Sequence, residues 1–434
     1  MDIAREFSAP QVWNDPYPFY ARLRSMGPVL PMRKGVGPQA FLNRGPVFLL
    51  PRHEEVYAAF RDPRFANDPA SQGEGSESPL NRWWIPRLFR IFQQTMIGKD
   101  GANHRRLRDL VHKAFTPGMI EGLSGRIQQM VDRMLDEAGQ KPTSDLIADL
   151  ALPLPLTVIS EMLGVPEKAR MEFRKMMMPI TETLANGAIG FLLYAPTAFR
   201  LERFLRRLVT LRREEPGDDM VTALVRAEEA GDRLNEEELV AMVFLLLLAG
   251  HETTVNLIGN GTLALMEHPD QLQKIVDHPE LIDSAIEELL RFSSPVTQLA
   301  RFTREDVEIK GHRIPRGSTV ILLMASANRD EAAFANADQL DVARTPNRHV
   351  SFGYGVHYCL GAPLARLEGR IAMLDLLRRF PQMRLAVPRE KVRWRKSFGL
   401  RGMRTLPLHL GPAASKATAR SSAQAAVHAV AGAP

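Results

Sequence analysis

The chain has 434 residues, 45% of them hydrophobic and 24% charged, with a formal net charge of +6. That is ordinary globular usage. The single cysteine excludes an intrachain disulfide and fits a reducing, cytoplasmic compartment. The basic residues are too dispersed to follow a nucleic-acid backbone, so an acidic protein partner is the better match to the charge.

In chain order, Met1–Pro10 carries Asp2, Arg5 and Glu6 without a long apolar run, and neither a signal peptide nor a membrane anchor is expected. Val47–Leu50 reads as a strand. Asp68–Pro79 is polar and rich in Gly and Ser, a mobile loop, followed by Trp83, Trp84, Phe89 and Phe92. Helical periodicity predicts helices over Arg105–Phe115, Met119–Ala138, Leu146–Leu163, Glu236–Met266, Pro269–Phe292 and Pro363–Phe380. Short alternating runs beside Gly and Pro predict strands at Val307–Ile309 and Thr319–Met324. The longest apolar stretch, Leu239–Gly250, is too short for a bilayer core of about 30 Å and reads as a buried helix. No linker separates residues 10 and 410. The expectation is one mainly α domain with small β-sheets over 1–410, then an Ala/Ser-rich disordered tail over 411–434.

The chemistry concentrates in Ser351–Ala365, SFGYGVHYCLGAPLA. A free cysteine alone is ordinarily a small buried residue. A thiolate that ligates a metal needs the metal to keep it deprotonated, amide donors to hold its charge, and a backbone able to curl around sulfur. Gly353, Gly355 and Gly361 permit that curl around Cys359, and a helix beginning near Gly361 points its positive end at the sulfur. A second unusual group, Ala249–Thr254, puts Glu252, Thr253 and Thr254 inside the most apolar helix, where they are costly unless satisfied. The threonines can bond back to carbonyls one turn earlier. A hydroxyl fed by a carboxylate and water can also deliver protons.

Phe352, Gly353, Gly355, His357, Cys359 and Gly361 fill every defined position of the haem-binding signature of the cytochrome P-450 superfamily, and the chain resembles that family's bacterial class over roughly Asp15–Leu410. The resemblance implies a monooxygenase with haem b ligated by Cys359, whose thiolate favours O–O cleavage. It implies an acid–alcohol pair at Glu252 and Thr253, with Gly250 leaving room for dioxygen and both Ala249 and Gly250 among the haem-binding residues. It assigns the haem propionates to His104, Arg108, Arg301 and His357, although Asp100-Gly101-Ala102-Asn103 departs from the usual residues before that histidine. It also implies a buried Glu288–Arg291 pair rather than a surface one. The usual third partner falls at Gln339, with Arg344 as the substitute.

Segments that contact substrate in the family suggest a wall of Trp84, Phe89, Phe92, Met177, Leu245, Val296, Leu299 and Phe398, against plain core packing as the alternative. The substrate would be an apolar terpene, fatty acid or polyketide of secondary metabolism. No flavin or nicotinamide fingerprint is present, so electrons would come from a ferredoxin or flavodoxin with its NAD(P)H-dependent reductase. That partner would dock on Arg105, Arg106, His112, Lys113, Arg366 and Arg370. No nucleic acid, no membrane and a monomer are expected. A peroxide-driven peroxygenase is the alternative reading.

Overall fold

The structure, a computed structural model, describes residues 3–7, 9–32, 45–69, 83, 85–113, 115–183, 190, 192–229, 234–397 and 399–414. Trp84, Phe398, the Phe92 side chain, most of the polar loop and residues 415–434 of the expected tail lie outside them.

Six helices position the site: α1 (Gly101–Lys113), α2 (Ser124–Gly139), α3 (Pro153–Met162), α4 (Glu236–Glu267), α5 (Ile282–Phe292) and α6 (Ala362–Arg379). The centre is α4, 32 residues long, which at 1.5 Å per residue spans about 48 Å. A capping box fixes its start. Asn235 accepts from the Glu238 amide at 2.9 Å, and Glu238 accepts from the Asn235 amide at 3.1 Å, an arrangement worth about 1 kcal/mol. Leu, Val, Ile and Ala on every side of α4 pack against α3, α5 and α6. It is the only helix among the described residues long and apolar enough to cross a membrane, and 78% of its most apolar window is buried inside the protein.

The five-stranded sheet comprises β1 (Leu30–Met32), β2 (Val47–Leu50), β3 (Phe65–Ala66), β4 (Leu299–Thr303) and β5 (Thr319–Leu322), in the order β1-β2-β5-β4-β3. Its β2–β5 pair is parallel and the rest are antiparallel. Val307–Ile309 pairs with His312–Ile314 as a separate hairpin.

Several boundaries differ from the periodicity. The helix expected over Pro269–Phe292 breaks into Pro269–Asp277 and α5, because Pro279 has no amide hydrogen and pushes His278 out of helical geometry (φ −127°, ψ 71°). Met119–Ala138 divides at Leu123, after Gly122. Leu146–Leu163 is a π-turn over Ile147–Ala151 followed by α3, which starts at Pro153. The strand from Thr319 stops at Leu322, and Met324 opens a helical turn. Helices Glu167–Thr183, Ala195–Glu214 and Met220–Glu229, and the strands β1 and β4, were not read from the pattern.

Candidate active site

The cysteine loop is a tight curl between β5 and α6. Gly353 (φ +68°) and Gly355 (φ +72°) adopt the left-handed backbone, and a Cβ on Gly355 would come within 2.7 Å of the Phe60 carbonyl oxygen. Gly361 differs from expectation: its φ of −80° is open to any residue, and a Cβ there would meet Cys359 Sγ at an ordinary 3.9 Å. The amides of Gly361 and Ala362 donate toward the sulfur, as the start of α6 requires. Cys359 is accessible to solvent, yet burial pushes its thiol pKa up, against the lowering effect of those amides and of Arg108 and Arg366. Both hold if the sulfur faces a cleft inside the fold rather than the outer surface, and we adopt that account. Phe352 lies under the Arg366 guanidinium, 4.6 Å from ring centroid to carbon. Arg366 in turn pairs with Glu287 of α5 at 2.6 Å. Burial opposes ionisation of Glu287, but Arg366 and His349 outweigh it and hold the pKa at about 2.

The opposite wall comes from α4. From Glu238 to Leu265 every residue is buried except Leu248, Ala249, Gly250 and Thr253. Those four mark the stretch of α4 with solvent-accessible surface. Thr253 donates to the Ala249 carbonyl at 3.0 Å, the back-bond open to it from the start. Gly250 lacks a side chain on the side taken by Ile159, whose Cγ1 a Cβ would approach to 3.2 Å. The glycine therefore serves the contact of α4 with α3, rather than clearing space for dioxygen in that direction. Glu252 is buried and lies 3.5 Å from Arg395 Nη1. His251 is buried with Nδ1 2.6 Å from the Leu247 carbonyl, and burial, with the Arg395 charge, lowers its pKa to about 4.

A cationic cluster forms one edge. His104 and His357 meet at 4.0 Å between centroids, their planes tilted by 47°. His357 Nε2 donates to Asp100 at 3.3 Å, and Asp100 also accepts from the amides of Asn67 and Asp68 and pairs with Arg304 at 3.0 Å. Burial opposes its charge, but the His357 hydrogen bond, those amides and Arg304 hold the carboxyl well below the usual range. Asp100 was missed in the sequence because its partners come from three separate segments. Burial first, then the charges of His357 and Arg108, lower His104 to about 4, so at neutral pH it is a neutral donor rather than a cation. Arg301 is 7% exposed. Burial lowers it to about 10, and its hydrogen bond goes to the carbonyl of Ala300. Among the described residues neither Arg301 nor Arg108 pairs with a carboxylate. The Asp100 charge offsets the burial of Arg301 only in part, and a buried guanidinium with no carboxylate in contact is expensive, so this edge suits an anion.

Behind the loop, Glu288 and Arg291 are both fully buried and joined at 2.8 Å. Arg344 reaches Glu288 at 3.1 Å, Asn347 Nδ2 donates to the same carboxylate at 3.0 Å, and the Gln339 carbonyl accepts from Arg291. The third partner is thus Arg344. Of the expected substrate wall, Leu299 and Val296 keep accessible surface, whereas Met177 (0%) and Leu245 (2%) are packed in the core and Phe89 meets Phe244 edge-on at 6.3 Å. Of the expected docking cations, Arg106 is instead tied to Glu238 at 2.6 Å, and Arg370 approaches Asp283 at 3.5 Å. Arg105 and His112 are exposed.

The cytochrome P450 family model matches residues 200–397. The chain is 42% identical over 372 residues to the polyketide biosynthesis cytochrome P450 PksS of Bacillus subtilis, covering 84% of this chain and 89% of the relative. It is 39% identical to the 6-deoxyerythronolide B hydroxylase of Saccharopolyspora erythraea, covering 91% and 96%. The solved structure of the Bacillus subtilis 168 bacillaene polyketide synthase cytochrome P450 PksS superposes with a TM-score of 0.84 at 39% identity, covering 93% of this chain and 98% of that one.

Proposed function

The chain belongs to the cytochrome P450 family and is a monooxygenase of it, and from that premise we propose that it inserts one atom of dioxygen into an apolar, polyketide-type small molecule. The thiolate of Cys359 would hold haem b, which when bound supplies the activation of dioxygen. The observation that carries this reading is the pairing of an amide-cradled, cleft-facing thiol with an edge bearing Arg301 and Arg108, neither of which has a carboxylate partner. A flat macrocycle with one sulfur ligand and two carboxylates has that chemistry. Arg301, Arg108 and the His104–His357 pair would bind the propionates, and Ala249 would face the macrocycle from α4.

Glu252 and Thr253 would move protons into the cleft. Thr253 would pass a proton from its hydroxyl while keeping the Ala249 carbonyl as its alternative partner, and Glu252 would replace it. The apolar side chains of Leu248, Val296 and Leu299 would orient the substrate and exclude bulk water. Electrons would arrive from a separate acidic ferredoxin or flavodoxin docking near exposed Arg105 and His112. Polyketide is preferred among apolar substrates because PksS, a relative in both sequence and structure, carries polyketide biosynthesis in its name. Residues 1–410 would form one domain.

The test is the reduced, carbon monoxide-treated holoprotein. A thiolate-type Soret band, lost in Cys359→Ser while haem is still bound, is expected. A haem-loaded protein lacking that band overturns the assignment of Cys359.

A further inference from the structure

A small cavity of about 40 Å³ lies partly open to solvent. Its wall includes Phe7, Tyr20, Gln298, Trp394, Arg395 and Arg401. Three polar atoms of these residues, Gln298 Oε1, Trp394 Nε1 and Arg401 Nε, are buried without a hydrogen-bond partner. Orphaned donors and acceptors on an otherwise largely apolar cavity wall are satisfied by ordered water. Arg395, part of that wall, approaches Glu252 to 3.5 Å, with only 7% of the Glu252 side chain exposed. The next residue, Thr253, belongs to the accessible stretch of α4. Arg395 therefore links a cavity that offers water its hydrogen-bond partners to the carboxylate beside that stretch.

We propose that this cavity is the water inlet that re-protonates Glu252, and that Arg395 is a positioning residue that turns the carboxylate toward it. The proposal rests on the reading of Glu252 and Thr253 as the proton source. Reducing one oxygen atom of dioxygen to water while inserting the other consumes two protons and two electrons. Glu252 breaks its O–H bond to release a proton toward Thr253, then forms a new O–H bond with a proton from cavity water, which bulk solvent replaces. No electrons pass through Glu252. Arg395 cannot itself give up a proton, since a guanidinium stays charged; it orders water and carboxylate.

Crystals of the ferric holoprotein give a readout independent of turnover. Ordered waters from the cavity mouth to the Arg395 guanidinium are expected, displaced in Val12→Trp, which fills the mouth from the N-terminal side. In kinetics, Arg395→Gln and Val12→Trp should each lower product formed per NADPH about tenfold, a modest part of what a positioned proton donor contributes. Peroxide release should rise and the solvent isotope effect increase, while Arg395→Lys restores coupling. A dry cavity, wild-type coupling in Arg395→Gln, or failure of Arg395→Lys to rescue overturns the inlet. Glu252→Gln separates the two levels. If it stays coupled, the relay and the inlet both fail; if it uncouples while Arg395→Gln does not, only the inlet fails.

Discussion

His251 makes the fold acid-sensitive by an amount that follows from its surroundings. The ring is 2% exposed and its pKa is lowered to about 4, against about 6.5 in an unfolded chain. The folded state keeps it neutral, so its contribution is fully present above pH about 6.5. As pH falls the unfolded chain takes up a proton that the folded chain refuses, and stability is lost down to about pH 4. Between pH 7 and pH 5 the linkage amounts to about 2 kcal/mol, and by pH 4 to about 3 kcal/mol. That is a large share of a typical 5–15 kcal/mol. The assay is urea unfolding of wild type and His251→Gln at pH 7 and pH 5, followed by circular dichroism. Glutamine keeps an N–H for the Leu247 carbonyl but does not titrate. The variant should lose about 2 kcal/mol less than wild type over that interval. Equal losses in both proteins would refute the claim that burial holds this ring neutral.

Glu288→Gln should cost about 3–5 kcal/mol, because Arg291 and Arg344 would keep their charges with no carboxylate between them; a loss under about 1 kcal/mol would put the pair in the surface class. Arg344→Ala, which removes one charged hydrogen-bonding group and leaves Glu288–Arg291 intact, should cost about 1.5–3 kcal/mol in the same unfolding assay. Arg301→Gln should speed haem transfer to apomyoglobin about tenfold or more, the loss of one hydrogen bond to a charged group, and unchanged haem loss would exclude it from propionate binding. Arg105→Glu should slow reduction by a ferredoxin at low salt, with the difference shrinking as salt rises; salt-independent or unchanged reduction moves the docking surface elsewhere.

What the sequence made legible was local. The cysteine loop packs its requirements into fifteen consecutive residues, and the two left-handed glycines sit inside it. The polar turn of α4 stood out because its neighbours are apolar on all sides. Contacts joining distant segments were not legible. Asp100 meets His357 from 257 positions away, and Arg395 meets Glu252 from 143. No periodicity encodes either. Part of the expected substrate wall, Leu245 and Met177, lies in the core for a different reason: on a helix buried nearly all round, as α4 is, spacing cannot distinguish a residue facing a cleft from one facing the core. Arg344 as third partner was inferable only once Gln339 was seen to lack a charge.

The polar groups of the same helix carry a cost that packing alone does not require. Within α4, His251 is tied to the Leu247 carbonyl, Thr253 to that of Ala249, and Glu252 to Arg395. Thr254 lies beside Glu368 of α6, whose carboxyl is pushed well up by burial despite that neighbour and has neither oxygen in a well-formed hydrogen bond. These four consecutive polar residues, together with buried Asn256, Asn260 and Thr262 further along α4, reduce stability relative to apolar replacements of similar volume. A fold retains a local cost of that kind where a site requires it. The four consecutive residues differ from the later three in their place: they overlap the accessible stretch of α4 at Thr253, and Arg395 of the cavity wall reaches Glu252 among them.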